Sequence, residues 1–414
     1  MKQLCFGFFV FSLLGLAAPQ VSNVTALQRT DTKLVDIRYD LATSEDARVI
    51  VRISTDGGTT FSLLPSAAAL AGDVGPGIAA GTLKHVIWDM RLDYDWQFNG
   101  DMRVKVIAET GAGAVPEPAS FEVSTIAAGT LTLGREQSAE GDGDSDEVPT
   151  SQVTINQFEI SKFEVTNEQY AEFLRAAWTA GEIQVINASA FALSGPFAGK
   201  LLYNGQTDPI RITKIGDTFT ILENYVKHPV VNVSWYGAIA FCQYYTTGDT
   251  VYDLPTEAEW EMAARGPTKL AGADHEAYPM TTDGTVDDMV SKANFLNSGD
   301  IFESQLYKTT QVGSYNGGQI PVGFDQANDN GLYDMAGNVR EWCRSGYSPY
   351  PYPSADSVDH QVNSLTHPWG TRTIRGGSWS DPVLELRIAG RRGDAPGSFG
   401  PDLGFRVVRR SINQ

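Results

Sequence analysis

The sequence predicts a multidomain protein: an all-β sandwich, then a larger domain with little regular secondary structure. Three observations lead there. Short runs with a two-residue apolar period fill the first part of the chain. A glycine- and proline-rich break follows, and beyond it three capped helical stripes stand among long loops rich in glycine and tryptophan. At 414 residues the chain is long enough for a core in each domain.

The elements follow in order. Lys2 precedes an apolar stretch from Leu4 to Leu16, and Gly15 and Ala17 supply the small residues of a cleavage site, so residues 1–18 read as a signal peptide. The stretch is short for a membrane span. Cys5 lies inside it and not just after a small-residue box, which argues against a lipoprotein. The expectation is a secreted, periplasmic or cell-envelope protein with no membrane span in its mature form. Residues 19–110 form the sandwich: Val35, Ile37 and Tyr39, then Val49, Val51 and Ile53, then Met102, Val104 and Val106 alternate with less apolar neighbours, and Asp56-Gly57-Gly58 supplies a hairpin turn. Residues 111–123 are a linker, with glycines toward one end and prolines toward the other.

Residues 124–412 form the second domain. Thr166 and Gln169 fit a capping box before Tyr170, Phe173, Leu174, Ala177 and Trp178. Ser234 caps a helix carrying Ala238, Phe241, Cys242 and Tyr245, and Thr256 with Glu259 caps one carrying Trp260, Ala263 and Ala264. All three stripes read as core. The formal charge of -19 argues against nucleic acid or an anionic membrane as partner. Cys242 and Cys343 are the cysteines outside the leader; they could pair or remain as two buried thiols, since spacing does not fix Cα geometry. The acidic run Glu140 to Glu147 lacks the glycine and glutamate of an EF-hand and reads as a surface loop. His85, His228, His275, His360 and His367 show no metal-ligand spacing.

Six strings stand in one order between about Ser124 and Val408: Glu164-Val-Thr-Asn-Glu-Gln-Tyr170, His228-Pro-Val-Val-Asn-Val-Ser-Trp235, Leu254-Pro-Thr-Glu-Ala-Glu-Trp-Glu261, Gly331 to Trp342, Arg375-Gly-Gly-Ser-Trp379 and Leu403-Gly-Phe-Arg406. Together they resemble the formylglycine-generating enzymes of the sulfatase-modifying factor family, and Ser54 to Phe61 resembles a hairpin of immunoglobulin-like or fibronectin-III-like modules. The resemblance implies a C-type-lectin-like α+β fold for the second domain. It also implies calcium on Asp334, Gly337, Val339 and Glu341, with two carboxylates and two backbone carbonyls as oxygen ligands for a hard cation. A second calcium is implied on Asn294 and Phe295, with Asp300 or Glu303 as the acid.

The chain departs from the family at the catalytic pair. The oxidases carry a cysteine three residues after the serine of Gly-Gly-Ser and another five residues on; here those positions are Asp381 and Leu386, and no cysteine follows Cys343. Copper held by such a pair is therefore not expected. Arg340 stands where the oxidases have a tryptophan. The reading is a non-catalytic or repurposed relative that binds a peptide, glycan or partner protein in the former active-site groove, through Arg340, Ser378, Trp379, Asp381 and Arg391. Either these charges form surface ion pairs, or they make a polar cleft for an anionic or carbohydrate ligand. An oxidoreductase that makes formylglycine from cysteine is the alternative, and a structural component of an envelope or secretion assembly is the third reading.

Overall fold

The computed structural model describes residues 19–30, 32–54, 57–58, 65, 69–92, 102–109, 121–135, 145–193, 197–216, 218–246, 250–266, 278–280, 289, 292–299, 309–317, 325–348, 350 and 370–411. The leader, most of the linker, the start of the acidic run, His275, His360, His367, Asp300 and Glu303 lie outside them.

Seven strands make the first unit: β1 (Gln20–Gln28), β2 (Leu34–Ala42), β3 (Ala47–Ser54), β4 (Leu70–Gly72), β5 (Gly75–Ile78), β6 (Gly81–Asp89) and β7 (Arg103–Glu109). They form one sheet in the order β1-β2-β6-β4 and another in the order β5-β3-β7. Alternation sends Val35, Ile37, Tyr39, Val49, Val51 and Ile53 into one shared apolar cluster with Trp88. Gly72 is required where β4 meets β6: its φ is +95°, and a Cβ would stand 2.2 Å from the His85 carbonyl oxygen. Arg48 on β3 reaches the second unit, pairing with Glu182 at 2.9 Å.

The rest of the molecule is sheet-rich with few helices. α1 (Asn167–Thr179) and α3 (Glu257–Arg265) each start on a capping box, at Thr166 with Gln169 and at Thr256 with Glu259; α2 (Trp235–Tyr245) starts on Ser234, whose hydroxyl accepts the Gly237 N–H. Phe173 and Leu174 of α1 and Phe241 and Tyr245 of α2 enter the largest apolar cluster. Trp178 is only half-buried, and the Lys214 ammonium lies over its ring at 3.8 Å. Every residue of α3 is buried. Cys242 and Cys343 are both unpaired and buried, in different clusters, so the second alternative for the cysteines holds.

Two four-stranded sheets position the functional region. One runs Thr250–Asp253, Val408–Ser411, Phe158–Ser161, Val123–Ile126; the other runs Arg391–Asp394, Arg372–Arg375, Arg340–Gly346, Leu403–Gly404. Buried ion pairs lock the second sheet to α3. Arg375 joins Glu257 at 3.1 Å and Glu261 at 2.6 Å, and all three side chains are fully buried. Among the described residues no helix is long and apolar enough to cross a membrane.

Candidate functional site

The residues expected to line the groove gather where strand Arg340–Gly346 meets the turn after strand Arg372–Arg375. The Gly337 N–H donates to the Gly376 carbonyl at 2.8 Å, and the Trp379 N–H to the Asn338 carbonyl at 2.9 Å, so the two segments hold each other. Asp381 is gripped from both sides: the Ser378 hydroxyl donates to it at 2.7 Å, and the Arg340 guanidinium donates to its other oxygen. The second arm of Arg340 donates to Asp402 at 2.6 Å, and the Ser380 hydroxyl joins that carboxylate at 3.0 Å. Trp379 is half-buried, with its indole N–H on the Pro401 carbonyl at 3.2 Å. Four of the five groove residues thus come together: Arg340, Ser378, Trp379 and Asp381.

Arg391 does not join them. Its guanidinium forks onto both oxygens of Glu257 at 2.7 and 2.8 Å, and its side chain is fully buried, so it cannot line an open groove. The charges that remain are ion-paired with one another. One guanidinium faces two carboxylates, and the formal sum over Arg340, Asp381 and Asp402 is one negative charge. Leu386, at the second cysteine position, is fully buried beside Gly377. Cys242 and Cys343 are no substitute thiolates here, since burial pushes both thiols well above their ordinary range.

Behind this turn lie the residues implied for calcium. Gly337 has φ +82°, and a Cβ there would stand 2.3 Å from the Asn294 carbonyl oxygen, so only glycine fits. The Asp334 Oδ2 accepts the Gly313 N–H at 2.6 Å. Glu341 holds Arg406 through both oxygens at 2.8 to 2.9 Å and accepts the Trp260 indole N–H at 2.8 Å. Glu164 completes the group, accepting from the Asn338 side-chain amide at 2.6 Å and the Val339 N–H at 3.1 Å. Burial pushes Asp334 up to about 6 and raises Glu164 well above the usual carboxylate range, with Asp334 and Glu341 adding to the latter.

These residues fit a hard cation in charge. Three buried carboxylates face one guanidinium, a formal sum of two negative charges that one divalent cation would cancel. They fit less well in side-chain geometry: among the described residues no three His, Cys, Asp or Glu side chains converge on a common point for a metal. A cation here would rest on Asp334, the Gly337 and Val339 carbonyls and what Glu341 can share with Arg406. At the second expected site, Asn294 turns its amide toward Asn338 at 3.4 Å, and Phe295 is buried in a small apolar cluster.

Of the described histidines, His228 is buried with Nδ1 3.0 Å from the Thr309 hydroxyl, and His85 lies against Asp36 at 2.7 Å. Sequence reasoning missed Glu164, Arg406, Trp260 and Asp402. Three of them stood within the six strings, where a buried acid, a buried guanidinium and a tryptophan could have been asked for partners.

Residues 112–411 match the sulfatase-modifying factor enzyme 1-like domain. The formylglycine-generating enzyme of Streptomyces coelicolor is 30% identical over 318 residues, covering 73% of this chain and 93% of that enzyme. The inactive C-alpha-formylglycine-generating enzyme 2 of Bos taurus is 30% identical over 284 residues, covering 64% of this chain and 82% of that protein. The serine/threonine-protein kinase Pkn1 of Chlamydia trachomatis is 32% identical over 297 residues, covering 71% of this chain; the match spans only 39% of the kinase's length. PvdO from Pseudomonas aeruginosa, a solved structure, is 22% identical with a TM-score of 0.47 and covers 70% of this chain and 94% of its own. The chain belongs to the sulfatase-modifying factor family.

Proposed function

We propose that this protein is a non-catalytic, calcium-stabilised binding protein of the cell exterior or envelope. An immunoglobulin-like sandwich precedes a C-type-lectin-like domain, whose groove around Trp379 takes a peptide, glycan or partner protein. The observation that carries the reading is Asp381. Where an oxidase of this family would need a thiolate, the chain has a carboxylate already held by Ser378 and Arg340, and no cysteine follows Cys343. An inactive relative of similar identity supports it. The signal-peptide pattern of residues 1–18 supports export.

The groove offers a half-exposed indole face and an internally satisfied polar floor. Such a floor selects by shape, hydrogen bonding and stacking, where a free cation would select by charge. A peptide and glycan array probed with the full chain tests this. Wild type should retain ligands that Trp379→Ala loses by tenfold or more in affinity. Ligands bound equally by Trp379→Ala would place recognition elsewhere.

A further inference from the structure

A cavity of about 140 Å³ lies between the sandwich and the second unit and is partly open to solvent. Its walls are the second faces of elements whose first faces fill the two cores. Along β3, Val49, Val51 and Ile53 enter the sandwich core, so Arg48 and Ile50 stand on the opposite side of the sheet. Along α2, Ala240, Gln243 and Tyr244 recur at helical spacing and form a stripe beside the one read as core. Phe173 and Ala177, one turn apart on α1, and Phe197 complete the wall.

Three polar side chains decide what such a cavity can hold. Arg48 pairs with Glu182 at 2.9 Å, and its guanidinium stands 5.6 Å from the centre of the Tyr244 ring. That contact is not aligned for a hydrogen bond, and the buried Arg48 Nη1 has no acceptor among the described residues. The Gln243 Nε2 is likewise buried without an acceptor. Protein interiors normally give a buried N–H its partner and leave few gaps larger than a water molecule. Here two unmatched donors and one gap coincide.

The volume suits a single six-membered ring, since an apolar cavity of about 150 Å³ takes benzene. Phe173, Phe197 and Tyr244 supply aromatic walls for it. The unmatched donors call for an oxygen acceptor on that ring. A carboxylate would bring a second anion beside Glu182 into a site with little water, which disfavours it. A carboxamide is uncharged. Its oxygen and its NH2 together can pair with Gln243 in either orientation of that side-chain amide.

We propose that this cavity binds a small uncharged aromatic molecule bearing a carboxamide, with the ring between the two units and the amide on Gln243. Arg48 provides a second donor in the same cavity. The site shares no residue with the groove around Trp379 and does not depend on that reading.

Calorimetric titration and melting of the full chain with benzamide, benzoate and toluene test this. Benzamide should bind and raise the melting temperature. Benzoate and toluene should bind about tenfold more weakly or worse, the first for its charge and the second for its missing acceptor. Gln243→Leu should weaken benzamide about fivefold or more and leave toluene no weaker. Ala240→Phe puts a ring into the cavity and should abolish benzamide binding without lowering the melting temperature of the free protein. If Ala240→Phe does not fold, Ile50→Trp fills the cavity from the sandwich side and is read in the same way. Equal affinity for all three probes would mean an unselective apolar gap and overturn the ligand class. An unchanged benzamide Kd in Gln243→Leu would overturn the amide pairing. Wild-type binding by the filled variant would place the site elsewhere. A wild-type chain that binds none of the probes would mean an imperfect fit between two units and overturn the inference as a whole.

Discussion

Single residues in this chain take their character from partners far away in sequence. Arg340 and Arg391 look alike as two groove cations. In the fold, one is neutralised by Asp381 and Asp402 and the other is buried on Glu257. Nothing local in the sequence separates them, since Glu257 is 134 positions from Arg391. His228 shows the same dependence. Burial, and then the Arg211 charge, push it down to about 4. Between about pH 6.5 and pH 4 the unfolded chain takes up a proton that the folded imidazole refuses, so stability falls as pH falls through that window. The loss reaches about 3 kcal/mol at the low end. His228→Gln should remove that part of the pH dependence, read from urea midpoints at pH 7 and pH 4.5. An unchanged difference between the two midpoints would show that His228 titrates normally in the fold.

At the scale of elements, the local rules were the legible ones. Thr166 with Gln169, Ser234 and Thr256 with Glu259 announce their helices because caps and apolar periods act within one turn. Strand alternation in β2 and β3 is legible for the same reason. What sequence could not give is how α3 meets strand Arg372–Arg375, because that contact is ionic and buried. Glu261 holds Arg265 at 2.7 Å and Arg375 at 2.6 Å, and also accepts the Gly134 N–H at 2.8 Å. Glu261→Ala strands two buried guanidinium groups and should cost about 3–5 kcal/mol in chemical denaturation. Disrupting the exposed Lys227–Glu168 pair with Lys227→Ala should cost less than about 1 kcal/mol. Equal losses from the two changes would contradict the view that the buried ion frame holds the groove strand in place.

For the molecule as a whole, the six ordered strings made the second domain readable before any coordinates, and the missing cysteine pair made its chemistry doubtful. The strings could not reveal that Asp381 is occupied, or that the ends of two strings, Glu164 and Arg406, flank one buried charge cluster. Those facts need a fold that brings Glu164 onto the Asn338–Val339 turn, 174 and 175 positions away. The account's central claim is that a family scaffold has kept its groove and lost its oxidation chemistry. The most direct test incubates the full chain with copper and a sulfatase-motif cysteine peptide, and follows the peptide by mass spectrometry. The account predicts an unchanged cysteine; appearance of the formylglycine aldehyde, dependent on this protein, would contradict it.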